Sequence, residues 1–342
     1  METTHLIKLK CLPGAQFHLG ESTPFEDSVL HKSSEIIHSD TLYSALVCLA
    51  AKIGIENPDQ ILGTGRISSC FYTMEKGNNN IFLLPRPTVP LFGDISYKEI
   101  KKIKYVSLGV FESEIPTRLW FDKINRNCYH KDLVAGNNWI ATKAEFQKMN
   151  IEFEQADKLK LYQMQTLPQV KVHTDEKINN LYQVERLQIA DNKLIDKNLN
   201  IHFFFLFEGE LSGDLITVLH LLKDEGLGGQ RSIGFGLFSG IEIISGIKNF
   251  DFGGNAYINL SLLSPHPDEF DELKNCHCQT ILRGGRNLST GGCLKQVLML
   301  KEGAIISKTL NGNIVDISIN TDGSSLRYGK SFPLLIPKIV LK

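Results

Sequence analysis

No stretch of the 342-residue sequence comes near the roughly 18 uninterrupted apolar residues of a membrane span, and the opening METTHLIKLK has no apolar h-region. Neither insertion into a membrane nor export is expected, and the sequence reads as a soluble cytoplasmic protein. An excess of one charge is also missing: 37 Lys and Arg stand against 38 Asp and Glu, a formal net charge of -1. That balance excludes a uniformly basic coat, so any site for nucleic acid or anionic lipid has to be a local patch. Cysteine is sparse, with 7 residues scattered at Cys11, Cys48, Cys70, Cys128, Cys276, Cys278 and Cys293. An odd number at these spacings reads as reduced thiols and not as a disulfide framework. Cys276-His277-Cys278, with Cys293 and His266, has no second CxxC or HxxxH pair to complete a tetrahedral set, so no zinc is expected. GxSxG, HExxH and paired-carboxylate signatures are absent as well, and no cofactor is implied.

What is present is ordinary globular material, 42% hydrophobic, in a length that suits about two domains of roughly 150 residues. From His5 to Cys11, Ile7, Leu9 and Cys11 alternate with Lys8 and Lys10, the period of a half-buried strand. The following PGAQFHLGESTPFEDS is long for a strand-to-helix connection and is a candidate functional loop. Ser39 as N-cap, Asp40 in the first turn, an apolar stripe at Leu42, Ala45, Leu46, Leu49 and Ile53, and Gly54 as stop predict an amphipathic helix. Strands are expected at Ser68 to Thr73 and Ile81 to Leu84 around GNNN. From about 85 to 200 the pattern weakens into an expected insertion of loops and hairpins. HFFFLFE from His202 is a buried strand, Ser212 caps a helix that Gly226 stops, and a last strand runs from Phe235 to Ile244.

The order strand, helix, two strands with an insertion, helix, strand matches the ferredoxin-like plan of an α+β fold. SGIKNFDFGGN at 245 to 255 is the best boundary, giving an N-terminal unit of 1–247 and a β-rich C-terminal unit of 248–342. Strands are expected there at Ala256 to Leu263, Cys278 to Arg283, Gln296 to Leu300 and Ile314 to Ile319, with a short helix near Asp268 to Lys274.

Three constellations carry possible chemistry. Gly226-Leu-Gly-Gly-Gln-Arg-Ser-Ile-Gly-Phe-Gly236 lets backbone N–H groups approach phosphate closely, with donors from Arg231 and Ser232 added to Gly228, Gly229, Gln230 and Gly234. It is neither a dinucleotide fingerprint, because Arg231 stands at the third glycine position, nor a P-loop, because Phe235 follows Gly234. A helix cap with a tight turn is the competing explanation. Phe17-His18-Leu19-Gly20-Glu21-Ser22 with His38-Ser39-Asp40 would form a donor-rich concavity for a phosphate or a 2′-OH. His18 is open to structural, binding or acid–base roles. Arg283-Gly284-Gly285-Arg286 is an anion-contact candidate or a plain turn, and Arg327-Tyr328-Gly329-Lys330 offers stacking and phosphate contact. The lysines at 98, 101, 102 and 104 read as a solvated face.

Taken together, the strand leading into Phe17-His-Leu-Gly-Glu21, the helix opening His38-Ser-Asp-Thr-Leu-Tyr-Ser-Ala-Leu46 and the glycine-rich loop resemble the RAMP superfamily of CRISPR proteins. Within it, Pro85-Arg-Pro, Lys101-Lys-Ile-Lys-Tyr-Val, Pro168-Gln-Val-Lys-Val-His173 through Leu181-Tyr-Gln-Val-Glu185, Arg283-Gly-Gly-Arg286 and Arg327-Tyr-Gly-Lys-Ser-Phe332 are similar to the family of fourth Csm subunits of type III-A effector complexes. The resemblance implies a pair of ferredoxin-like domains, the first with a β-hairpin thumb in the insertion that includes Pro168 to His173, where Val170, Lys171 and Val172 would contact RNA. It implies a non-catalytic subunit that binds the 5′ handle of the CRISPR RNA beside the large polymerase-domain Csm subunit and a backbone Csm subunit. The family loop often carries Lys or Arg where this sequence has Gln230, which makes Arg231 the phosphate contact. The rival is a metal-independent repeat endoribonuclease using His18 or His38 with Tyr43 as helper. A small-nucleotide-binding regulatory module is disfavoured by the broken glycine pattern.

Overall fold

The computed structural model describes residues 3–20, 32–88, 102–113, 115, 119–120, 130–171, 180–246, 252–254, 256–285, 292–319 and 325–336. The alternating N-terminal segment forms β1 (Thr4–Lys10), but both of its faces are covered, including the one that carries Lys8. The Lys8 ammonium is compensated there by Glu75 and Glu242. Such a pair is needed because an unpaired buried cation costs several kcal/mol. After β1 come β2 (Gln16–Phe17), helix α1 (Ser39–Lys52), β3 (Arg66–Ile67), and the hairpin of β4 (Phe71–Lys76) and β5 (Asn79–Pro85), turned at Gly77 with φ 59°.

Residue 38, not 39, is the N-cap of α1. The Ser39 hydroxyl accepts instead from Leu262 N at 3.0 Å, so the side chain expected to cap the helix ties it to the C-terminal segment. Leu42, Leu46 and Leu49 form the buried stripe, each worth about 1.5–3 kcal/mol of transfer free energy.

The expected insertion does not stay apart from the main sheet. Its short strands β6 (Tyr105–Ser107), β7 (Leu133–Ala135) and β8 (Trp139–Thr142) extend that sheet, and helices α2 (Leu108–Glu112) and α3 (Lys143–Lys148) pack against them. Thr142 and Glu145 close α3 with a capping box. The insertion then throws out a long hairpin, β9 (Tyr162–Lys171) with β10 (Asn180–Ile189), before returning through β11 (Leu199–Glu208), α4 (Gly213–Glu225) and β12 (Gly240–Ser245). Ser212 caps α4 by accepting from Leu215 N at 3.1 Å, and Gly226 ends it at φ 72°, as the sequence predicts. The last strand starts at Gly240 and not at Phe235, because the residues between fold back as part of the glycine loop.

The result is a 9-stranded mixed sheet in the order β12-β1-β11-β4-β5-β6-β8-β7, with β3 on β11 and one parallel pair, β6 with β8. β2 leaves this sheet to pair with β10 of the hairpin. The C-terminal segment adds β13 (Ala256–Asn259), β14 (Thr280–Arg283), β15 (Val297–Leu300), β16 (Ile305–Ile306), β17 (Gly312–Asp316), β18 (Leu326–Lys330) and β19 (Pro333–Ile336) in small sheets. Its helical turn, Pro267–Asn275, is of the tighter 3-10 type. Ala256, Ile258, Leu260, Tyr328 and Phe332 share one buried cluster with the N-terminal residues. Among the described residues no helix is long and apolar enough to cross a membrane.

Candidate nucleic-acid interface

The glycine-rich loop is built against β2. Gly229 N donates to His18 O at 2.8 Å and Gly236 N to Gln16 O at 2.8 Å, so the loop and the β2 strand form a short antiparallel ladder. Two of the glycines are dictated by this contact. A Cβ on Gly228 would stand 2.5 Å from the His18 carbonyl, and one on Gly236 would stand 2.1 Å from Leu227 O, both at positive φ. Beyond the ladder, Gln230 takes a left-handed conformation at φ 59°, and Arg231, Ser232, Ile233 and Gly234 lie exposed in a single tight turn. Arg231 forms no ion pair among the described residues, so its guanidinium is available.

The hairpin completes this surface. His18 is buried with Nδ1 2.8 Å from the Glu185 carbonyl, and Ser33 N donates to Glu185 Oε2 at 2.9 Å. Gly20 bridges to Ser33 on the adjoining segment. Gln230 Nε2 donates to Gln169 Oε1 at 3.2 Å, and the same oxygen accepts from the Tyr182 hydroxyl at 2.9 Å. Arg186 donates to Gln16 Oε1 and lies 5.3 Å over the Phe235 ring. Val170 is exposed next to Gln169, and Lys171 ends β9. His18, Gly20, Gly228, Gly229, Gln230, Arg231, Ser232, Gly234, Val170 and Lys171 therefore converge. Ser22, Val172 and Arg286 lie outside the described residues. Gln169 and Tyr182, which knit the loop to the hairpin, lie in segments that carry the resemblance but were not singled out as contacts, and Arg186 carried no signal of its own.

The remaining candidates form a second group in a buried junction. Asp40 in the first turn of α1 accepts from Arg283 at 2.9 and 3.0 Å and from Arg327 at 2.6 Å, all three side chains being largely hidden from solvent. Burial alone would raise the Asp40 carboxyl; the two guanidiniums outweigh it and hold the group well below the usual carboxylate range. Arg327 also donates to Gly284 O at 2.7 Å, with Gly285 packed beside its guanidinium. The guanidiniums of Arg283 and Arg327 are thus committed to a carboxylate, whereas the sequence marked them as anion contacts and left Asp40 a capping role.

His38 is buried likewise, with Nδ1 2.8 Å from Glu302 Oε1 and Nε2 3.2 Å from Ser34 Oγ. Burial works against the Glu302 carboxylate, yet the adjacent His38 ring and the Ser69 hydroxyl pull its pKa below the ordinary value. Ser39 N donates to Ser69 Oγ at 2.8 Å. Tyr43 donates to Asp59 O at 2.7 Å and packs on Tyr328 with centroids 5.1 Å apart, and burial pushes its hydroxyl up to about 12. Of the lysine run, Lys104 pairs with Glu35 at 2.5 Å, and 98 and 101 lie outside the described residues. Cys276 and Cys278 are free thiols with sulfurs 3.3 Å apart, and no metal-ligating cluster occurs among the described residues.

Residues 253–336 match the model of the CRISPR Csm4 C-terminal domain. Over 351 aligned residues the chain is 27% identical to the CRISPR system Cms protein Csm4 of Methanocaldococcus jannaschii, spanning 93% of this chain and 89% of that protein. The chain is Csm4-like. A chain of the Csm3-Csm4 subcomplex of the type III-A CRISPR-Cas interference complex has the same fold, with a TM-score of 0.65, 21% identity, and 97% of this chain and 99% of that one covered. A chain of the Csm1-Csm4 cassette solved with cA4 superposes at a TM-score of 0.53 with 18% identity, covering 98% of both. The Csm4-like chain thus shares its mixed α+β architecture with these structures along nearly its whole length.

Proposed function

We propose that the chain is a non-catalytic subunit of a type III-A CRISPR ribonucleoprotein, holding the 5′ handle of the CRISPR RNA and docking the large Csm subunit at the base of the complex. The observation that carries this is the single surface on which β2, the glycine loop and the β9–β10 hairpin meet, with Arg231 and Ser232 exposed on its tight turn. Such a surface holds a sugar-phosphate chain by donors and shape while an exposed hairpin residue such as Val170 presses on a base. Relatives solved in Csm3-Csm4 and Csm1-Csm4 assemblies support a backbone subunit and the large subunit as neighbours.

The strand order β12-β1-β11-β4, with α1 and α4 as crossovers, supports a ferredoxin-like N-terminal unit, and the family match at 253–336 supports a boundary near 247, after which we read the β-rich second unit as ferredoxin-like too. For the nuclease alternative, both imidazoles are buried and held by internal partners, and Tyr43 is packed, which favours the scaffold. Arg231→Ala or Gly229→Asp should lower the guide RNA that co-purifies with the complex; unchanged guide content refutes the loop assignment. Repeat-RNA cleavage in EDTA that disappears on His18→Ala would instead establish the nuclease.

A further inference from the structure

Cys276, His277 and Cys278 leave the 3-10 turn Pro267–Asn275 as extended chain, with Cys276 at φ -84° and ψ 148°. Side chains two residues apart on extended backbone share a face, and the two sulfurs stand 3.3 Å apart. The backbone around them is pinned. His277 exchanges both hydrogen bonds with Ile305 of β16, at 3.0 and 2.8 Å, and Gln279 O accepts from Lys301 N at 2.8 Å. Cys278 packs with Leu273 against a small apolar cluster of Leu263, Leu300, Ile306 and Leu310. Neither cysteine is closed off, since both keep part of their surface in solvent.

Two sulfurs at this distance can be joined in two ways. A disulfide needs them about 2.05 Å apart and its Cα atoms within about 6.8 Å, whereas two residues of extended chain span about 6.6 Å, at the edge of that range. Closing the bond would pull on backbone that is hydrogen-bonded on both sides. A shared ion asks for no such movement: with metal–sulfur bonds of about 2.3 Å, sulfurs 3.3 Å apart already reach one ion. Among the described residues no set of three or more His, Cys, Asp or Glu that could hold an ion includes this pair, so the protein offers two donors, both sulfur. Structural zinc fills four positions, and hard ions such as calcium and magnesium take oxygen. Thiolates select cuprous copper, and the apolar cluster beside Cys278 disfavours a strongly hydrated ion further. We propose that Cys276 and Cys278 form a two-thiolate site for a soft monovalent ion of the Cu(I) class. Each thiol gives its proton to solvent as its sulfur bonds to the ion, and no electrons change hands. None of these residues belongs to the RNA surface, so the proposal goes beyond the scaffold reading and stands or falls apart from it.

The test is anaerobic titration of the reduced full chain with Cu(I) against bicinchoninate, a coloured competitor for that ion. The wild type should withdraw Cu(I) from the competitor, and an equal concentration of Zn(II) should not displace it. Cys276→Ser and Cys278→Ser should each weaken the binding by about a hundredfold, the loss expected when a second, tethered donor is removed. Cys48→Ser and Cys293→Ser, which remove exposed cysteines outside the pair, should leave it unchanged. X-ray absorption at the copper edge of the loaded wild type should show two sulfur neighbours. Failure of the wild type to withdraw Cu(I), or undiminished binding by Cys278→Ser with an unchanged melting curve, overturns the proposal. Should the serine variants not fold, a copper shell in the wild type other than two sulfurs overturns it.

Discussion

Asp40 is the residue on which most depends. It neutralises two arginines that approach from separate strands of the C-terminal segment, Arg283 from β14 and Arg327 from β18. Asp40→Asn keeps the shape but leaves two buried guanidiniums facing a neutral amide, and breaking a buried pair in this way costs about 3–5 kcal/mol. A chemical denaturation curve should show that loss, whereas Asp59→Asn on the surface should shift the midpoint little. The same carboxylates set the acid limit. Asp40, Glu302 and Glu75 all have folded-state pKa values below the ordinary ones, and Glu75 is pulled down to about 2 by the nearby His202 ring and the Lys8 ammonium. A depressed folded pKa contributes stability above the unfolded value, and that contribution is lost as pH falls through the folded one. Melting temperature should therefore hold above about pH 4.5 and drop steeply toward pH 2, with a shallower drop in Asp40→Asn.

At the scale of elements, the loop and the hairpin act as one piece. Gly228→Ala places a methyl against the His18 carbonyl at a φ of +95°, which strains the backbone and pushes the loop off β2. A destabilisation of about 1–3 kcal/mol is expected, with faster amide exchange at Gly229 and Gly236, whose N–H groups make the ladder. The helices were legible in the sequence because α1 and α4 carry full apolar stripes and local stop signals such as Gly226. The strands β6, β7 and β8 were not, since three or four residues give too short a window for a period-two pattern, and their place in the sheet is set by neighbours far along the chain. The loop's glycines were conspicuous, but their closure onto His18 appears only in the fold. The partners of Arg283 and Arg327 were not: an arginine beside glycines looks the same whether a phosphate or an aspartate 243 or 287 residues away receives it. Glu302 carried no motif, and only the fold sets it beside His38.

For the molecule as a whole, the two ends of the chain share one interior. Besides the Asp40 cluster, Ile67 N donates to the Tyr328 hydroxyl oxygen at 2.9 Å, Ser69 N donates to Leu260 O at 2.8 Å, and Leu262 N donates to Ser39 Oγ. Urea unfolding should accordingly be a single transition reported alike by Trp120 or Trp139 fluorescence and by far-ultraviolet circular dichroism. Asp40→Asn should separate the two probes; coincident curves in that variant would show that other contacts suffice for cooperativity. The charge balance belongs to this scale too: three of the 37 positive side chains, Lys8, Arg283 and Arg327, are spent on carboxylates inside the protein. The Asp40 cluster also sets an order of events during synthesis. A ribosome delivers α1 early, with a carboxylate that belongs in the interior, and its two counter-charges emerge only 243 and 287 residues later. Until then the nascent N-terminal half has an unfinished interior. A chain broken off before Arg327 leaves the buried Asp40 carboxylate with one of its two counter-charges missing.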